Sequence, residues 1–393
     1  MFGLNRNIWL LFLTQPFALA ISPAIVLISG LVGKQLAPSP QWSTLPLTMM
    51  VTGMMLGAFP AALLMQRFGR KIVFLGAMLV SCSASGLAAL GIAMSSFVVF
   101  LIGVTFIGAT LAVVQQFRFA AAENVDKPEL AGRAISVLMI GSVGAAFIGT
   151  ELAAWGENLL SVTYSGSFIT LMLASAIAFL LLLFFTNTKP TQQHHNTKDP
   201  IDWSAIVRRP NFIIAVCAAA IGYGVMSFVM TATPLAMHDM MGHSLGSTKW
   251  VIQSHIMAMF LPSLFTGELI RKFGARQVIF AGLLAYLGTT AFAYSGVAVF
   301  HYWWALVLLG IGWNFLFIGG TSLLTKAYKP EEKYRVQAAN DVSVFIFQAL
   351  TSLSAGIILF AAGWSGIVTI SLIPTVALIL LVLVLWPRIT ASA

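Results

Sequence analysis

Charge is what this chain has least of. Asp, Glu, Lys and Arg together make up 8% of its 393 residues, and 59% are hydrophobic, against about a quarter and about half in an average soluble domain. Such a composition excludes an ordinary soluble enzyme. Cysteine is also scarce: Cys82 and Cys217 each lie inside an apolar run, so neither a disulfide framework nor a thiolate metal site is expected. Acids, 12 against 21 bases, are too few to balance the charge, and the net +9 would raise the question of nucleic acid in a soluble protein. No G-x-x-x-x-G-K-S/T loop occurs, which disfavours ATP-driven pumping by this chain.

What is present is apolar length. About 20 mostly apolar residues cross a bilayer as a helix. Cutting at charges and turn residues predicts twelve such segments, at approximately 8–33, 45–65, 72–94, 97–120, 134–154 and 165–187, then 211–235, 248–269, 277–297, 302–325, 340–362 and 365–387. The first run, Ile8 to Val32, is too long for a signal-peptide core and is expected to be retained. One long polar stretch, Asn187 to Pro210, separates the two sixes and is too poor in apolar residues to bury. The expected organisation is an all-α integral membrane protein, with six-helix bundles over 1–187 and 211–393 and a cytoplasmic linker over 188–210. His194-His195 in that linker has no evident third ligand and reads as linker composition. No metal or cofactor is expected.

Threading the loops alternately through the membrane puts every base on one side except Lys34 and Lys249. By the positive-inside rule the basic side, with both termini, is the cytoplasm. An odd number of segments in either half would destroy this asymmetry. The basic charge then reads as an orientation and anionic-lipid signal, with no need for nucleic acid.

The two halves also repeat one another. The loop after the second segment holds Arg67-Phe68-Gly69-Arg70-Lys71, and the loop after the eighth holds Arg271-Lys272-Phe273-Gly274-Ala275-Arg276. Pro128, Glu129 and Arg133 after the fourth segment correspond to Pro330, Glu331 and Arg335 after the tenth. A parallel repeat of half the chain is a common secondary-transporter plan, with the substrate site between the halves near the midplane.

With these loops the chain resembles the major facilitator superfamily, whose loop between helices 2 and 3 reads G-x-x-x-D-R-x-G-R-K. Arg67, Gly69, Arg70 and Lys71 match, while Ala62 stands at the first glycine and Gln66 at the acid; in the second half Gly267 and Gly274 match and Arg271 takes the acidic position. The resemblance extends over the whole chain and implies a gating role for Arg67, Gly69, Arg70, Lys71, Arg271, Lys272, Gly274 and Arg276. It also implies that helices 1, 4, 7 and 10 line the cavity. Family antiporters often carry a Gly-Pro motif in helix 5, but here Thr150 follows Gly149, so exporter character is not supported.

Ionisable residues at membrane depth are functional candidates. Arg118 sits roughly 12 Å below the midplane at 1.5 Å per residue, and either snorkels to the cytoplasm or serves as an inward cation for an anionic group or an internal ion pair. Gln115 lies one turn above it, whereas Glu123, about 140° round the helix, is a poor direct partner. Glu151 at the outer end of helix 5 and Asp341 at the start of helix 11 are candidate proton carriers; Asp341 alternatively caps its helix. Glycines Gly141, Gly144 and Gly149 before Glu151 read chiefly as close-packing contacts. Substrate-contact candidates are Gln15 in helix 1, Gln115 and Arg118 in helix 4, the stripe Tyr223, Ser227 and Thr231 in helix 7, and Trp313, Asn314 and Phe317 in helix 10. This aromatic and amide face suits a planar organic solute. The same polar residues, with Gln253 and His255, serve equally as interhelical glue.

The expected function is secondary transport of a small organic solute across a bacterial inner membrane by a monomer. Alternating access coupled to protons is expected, with metabolite or vitamin uptake ahead of drug export. An integral membrane enzyme would need a catalytic cluster that is not visible. A transport-like sensor would append a soluble domain, whereas the tail after Trp386 is Pro387 to Ala393.

Overall fold

The computed structural model describes residues 5–125, 131–186, 202–329 and 332–390. Residues 187–201 of the linker, with His194 and His195, lie outside the described residues, as do Lys127, Pro128, Glu129, Pro330 and Glu331. Among the described residues there is helix and no strand. Along the N-terminal half run α1 (Arg6–Leu19), α2 (Ile21–Leu36), α3 (Leu45–Ala93), α4 (Phe97–Val114), α5 (Phe117–Glu123), α6 (Ala131–Trp155) and α7 (Ser165–Leu182). The C-terminal half holds α8 (Trp203–Val207), α9 (Pro210–Pro234), α10 (Leu245–Phe260), α11 (Ser263–Phe273), α12 (Ala275–Ser295), α13 (Val299–Leu324) and α14 (Lys333–Thr390). Nine helical stretches among the described residues are long and apolar enough to cross a membrane. With no water in a bilayer core, helices satisfy the backbone internally, which is why such a sequence folds this way.

Two of these stretches are helix pairs. α3 carries Gly69 at φ 77, ψ 167, and α14 carries Gly363 at φ 66, ψ −168. Both lie in a region that only glycine enters without strain. Gly274, between α11 and α12, repeats the Gly69 conformation at φ 88, ψ 157, so the two basic loops share a backbone bend as well as a sequence.

Several expected segments are interrupted. The first breaks at Ala20 beyond Pro16, the fourth at Gln115-Gln116, and the eighth at Leu261-Pro262, where proline brings no N–H to the ladder. Arg118 therefore sits in the short α5, past a break, and not on an unbroken helix with Gln115. Apolar composition sets where a helix spans and says little about where its ladder is cut. A second correction concerns Asp341. α14 begins at Lys333, more than two turns earlier, so Asp341 is inside the helix and cannot be its cap. The start is fixed by Glu332, which accepts from Arg209 Nη1 at 2.7 Å and from the Lys329 backbone N–H at 2.8 Å. The Arg209 hydrogen bond holds the Glu332 carboxyl below the usual range.

The basic loops gather at one end of the bundle. Arg70 Nε donates to Glu123 Oε2 at 2.8 Å and Lys71 Nζ to Leu183 O at 2.7 Å, while Arg276 lies over the rings of Phe280 and Trp386. The contacts of Arg70, of Lys71 and of Arg276 with Trp386 each reach the end of another helix, so these ends share a side. Within the N-terminal half, Gly141, Gly144 and Gly149 of α6 press against α1 and α2; a Cβ on Gly149 would stand 1.9 Å from Ala20 O. They are close-packing glycines.

Candidate substrate cavity and its gates

The bonds that join the two halves cluster at the end away from the basic loops. Lys34, in the last turn of α2, donates to Asp239 at 2.6 Å, and Lys249 of α10 reaches Glu151 Oε2 of α6 at 2.8 Å. Gln253 Nε2 donates to Thr150 Oγ1 at 2.8 Å and Gly356 N to Thr44 Oγ1 at 3.2 Å, with Thr48 and Ser352 hydroxyls 3.5 Å apart. Lys34 and Lys249 are the two bases that the loop count leaves on this side. Both hold a carboxylate of the opposite half.

From this clasp a polar seam runs along α9 and α14 toward the basic end. Thr231 and Ser352 hydroxyls lie 3.5 Å apart, Ser227 is one turn further, and Tyr223 one turn beyond that. Tyr223 meets α13 edge-on, its ring centroid 5.0 Å from Trp313 and 5.2 Å from Phe317, and those two rings stack at 5.4 Å. Phe260 closes the cluster 6.0 Å from Trp313. Arg118, from the other half, lies within electrostatic range of both Tyr223 and Asp341. Arg118 is exposed, its guanidinium 4.8 Å from the Phe119 ring centre, and Gln115 and Asp341 are exposed as well. The structure thus brings together Tyr223, Ser227, Thr231, Trp313 and Phe317, with Arg118 and Asp341 within electrostatic range of Tyr223.

Other candidates are placed differently. Asn314 is fully buried and faces the break between α10 and α11: its Nδ2 donates to Met259 O at 2.7 Å and to Ser263 Oγ at 2.6 Å, and its Oδ1 accepts from Thr266 at 2.7 Å. It splints the two pieces. Gln15, 3% exposed, donates to Ser142 Oγ at 3.0 Å. His255 is buried, its Nδ1 2.7 Å from Leu306 O. Glu151 lies in the clasp, paired with Lys249. Arg67 lies against Phe68 and Lys272 against Phe273, and Arg271 pairs with Glu268 three residues earlier. A separate groove of about 370 Å³, lined by Gly57, Leu64, Phe68, Ile72 and Ala109, lies wholly in the N-terminal half.

Sequence reasoning missed Gln348, which lies seven residues beyond Asp341 and so shares its face of α14. It missed Phe260 and the pairing of Lys34 and Lys249. The signal for the last was present, since two lone bases opposite a basic side need a reason.

The sequence matches the family model described as Major Facilitator Superfamily over residues 8–248 and 217–392. This chain belongs to the major facilitator superfamily. Relatives include the riboflavin transporter RfnT of Brucella anthropi, 37% identical over 385 residues that cover 97% of this chain and 96% of that protein. An uncharacterised MFS-type transporter, YdeG of Bacillus subtilis, is 28% identical over 95% of this chain and 91% of its own length. Among solved structures, a variant of the nucleoside transporter NupG superposes with a TM-score of 0.73 at 14% identity, covering 97% of this chain and 99% of that one. A bacterial homologue of the human lysosomal transporter Spinster, inward-facing and occupied, gives 0.68 at 14% identity, covering 96% and 95%. The chain is accordingly a multi-pass secondary transporter, with transporters and not enzymes for relatives.

Proposed function

We propose that this carrier takes up riboflavin or a closely related uncharged heteroaromatic vitamin across a bacterial inner membrane. It acts as a monomer that crosses twelve times, in sixes over 1–187 and 211–393 joined by the linker 188–210, with both termini cytoplasmic. The observation that carries the substrate class is the aromatic wall of Tyr223, Trp313 and Phe317. Offset and edge-on ring contacts of this kind suit a flat fused heterocycle. The 37% identity to a riboflavin transporter supports the same reading.

In this reading the two cross-half ion pairs close the periplasmic mouth while Arg118 and Asp341 stand at the cytoplasmic one. Solute reaches the aromatic wall from one side, the mouths exchange, and it leaves from the other. Protons drive the cycle through a membrane carboxylate, Glu151 or Asp341, whose protonation frees the pairing that closes a mouth.

The test is accumulation of labelled riboflavin in a riboflavin-auxotrophic bacterium lacking its own carrier. Expression of this chain should restore growth at low external riboflavin, and protonophore should abolish accumulation. No uptake above the empty-vector strain, with the protein present in the membrane, would sink the vitamin reading. Uptake that ignores protonophore would remove the proton.

A further inference from the structure

Three hydrogen-bonding atoms along the seam have no partner among the described residues: Trp313 Nε1, Gln348 Oε1 and Ser227 Oγ. Trp313 is 4% exposed and Ser227 1% exposed, and native proteins seldom leave buried polar atoms unsatisfied without a reason. The three belong to α13, α14 and α9, and the contacts place them within about one turn of each other. Thr231 and Ser352 meet at 3.5 Å, so one turn further along each parallel helix brings Ser227 opposite Gln348. Gly224 agrees with this register, since a Cβ there would meet Phe347 Cδ1 at 2.8 Å. Trp313 joins them from α13, which runs antiparallel to α9: a Cβ on Gly222 would meet Leu316 Cβ at 3.2 Å, so Trp313, three residues back, lies about 4.5 Å nearer the Ser227 level, with its ring centroid 5.0 Å from that of Tyr223.

The chemistry of the three atoms is specific. An indole N–H only donates, an amide oxygen only accepts, and a hydroxyl does either. Their complement is a carbonyl beside an N–H, the imide or lactam edge of a planar ring whose faces suit the Tyr223, Trp313 and Phe317 side chains. That ring needs no charge. Residues 211–234 of α9, all of α13 and residues 342–387 of α14 contain no Asp, Glu, Lys or Arg, so the three helices that carry the edge offer a phosphate or carboxylate no countercharge of their own, and Arg118 beyond them is within electrostatic range of an acid, Asp341. Tyr223 and Phe317, both half-buried, flank Trp313.

We propose that Trp313, Gln348 and Ser227 form a recognition edge for the imide or lactam group of an uncharged heteroaromatic ring, with Gln348 accepting its N–H and Trp313 donating to its carbonyl. The proposal deepens the vitamin reading and rests on its assignment of the aromatic wall as the binding surface.

The test is equilibrium binding to the purified full-length protein of two matched pairs, riboflavin with 3-methylriboflavin and uridine with 3-methyluridine, in which methylation replaces the imide N–H with a methyl group, so that a penalty erased by Gln348→Met is the lost hydrogen bond and one that persists is steric. Whichever parent binds should lose about tenfold in affinity on methylation, the worth of one neutral hydrogen bond. Gln348→Met should weaken the parent by a similar factor and erase the methylation penalty. Trp313→Phe should weaken the parent and keep the penalty. This second variant holds the proposal to account if Gln348→Met does not fold. Equal affinity for parent and methylated ring in the wild type, or a penalty that persists in Gln348→Met, overturns the proposal; so does unchanged parent binding in Trp313→Phe. Uridine binding with the penalty while riboflavin fails to bind would sink the vitamin reading and leave the edge standing. Riboflavin binding without a penalty would do the reverse, and failure of all four rings to bind would overturn both.

Discussion

Lys249 Nζ of α10 lies 2.8 Å from Glu151 Oε2 of α6, an ion pair made between the two halves of the chain. Lys34 and Asp239 form the second such pair at 2.6 Å. Outward opening of an alternating-access carrier must break both, so each carboxylate is a point where a proton can lower the barrier to opening. Glu151→Gln is expected to abolish pH-gradient-driven accumulation in proteoliposomes while sparing counterflow of labelled solute, because exchange need not cycle the proton. Normal accumulation by Glu151→Gln and by Asp341→Asn would remove both as coupling sites.

Arg118 and Asp341 are opposite charges from opposite halves, both exposed and within electrostatic range of each other. Leaving one without the other at membrane depth is costly. Arg118→Asp and Asp341→Arg should each reduce transport of the solute at least tenfold, and the doubly swapped protein should recover part of it. A swap no better than either single variant would show that the two charges act independently. Full activity of Arg118→Ala in a well-expressed protein would remove Arg118 from the mechanism altogether.

Gly69 and Gly274 hold the same bend in the two basic loops, at φ 77 and φ 88. An L side chain in this region is strained by about 1–3 kcal/mol. Gly69→Ala and Gly274→Ala should therefore each lower the thermal unfolding midpoint by a few degrees, whereas Gly76→Ala, where an added Cβ would meet nothing within 4 Å, should leave it unchanged. Equal midpoints for all three variants would contradict the shared bend.

Asn314 makes three hydrogen bonds to the two sides of the break at Leu261-Pro262. Its loss leaves buried groups unpaired at about 1–3 kcal/mol each. Asn314→Leu should reduce thermal stability clearly while the surviving folded protein keeps the affinity of the wild type. A selective loss of affinity with unchanged stability would return Asn314 to the binding site.

The membrane class, the repeat of the halves and the basic loops were legible in the sequence because each depends on composition or local chemistry. A run of about 20 apolar residues must be helical in lipid, and Arg67 to Lys71 and Arg271 to Arg276 repeat whatever their surroundings. Helical spacing also put Trp313 and Phe317 on one face of helix 10, whereas the meeting of Tyr223 with them came from the packing of α9 on α13.

Which polar residue faces the space between the halves, and which is consumed by a neighbouring helix, only the tertiary structure decided. Asn314 and Trp313 are adjacent in sequence, about 100° apart on one helix, and that rotation sends the amide into α10 and α11 and the indole toward α9. Where α14 begins, and hence whether Asp341 is a cap or an interior charge, depends on Arg209, 123 residues away from its partner Glu332. The pairing of Lys34 and Lys249 with acids of the opposite half has the same origin. Such partners meet only when the helices pack, and no local pattern in the chain encodes which ends will meet.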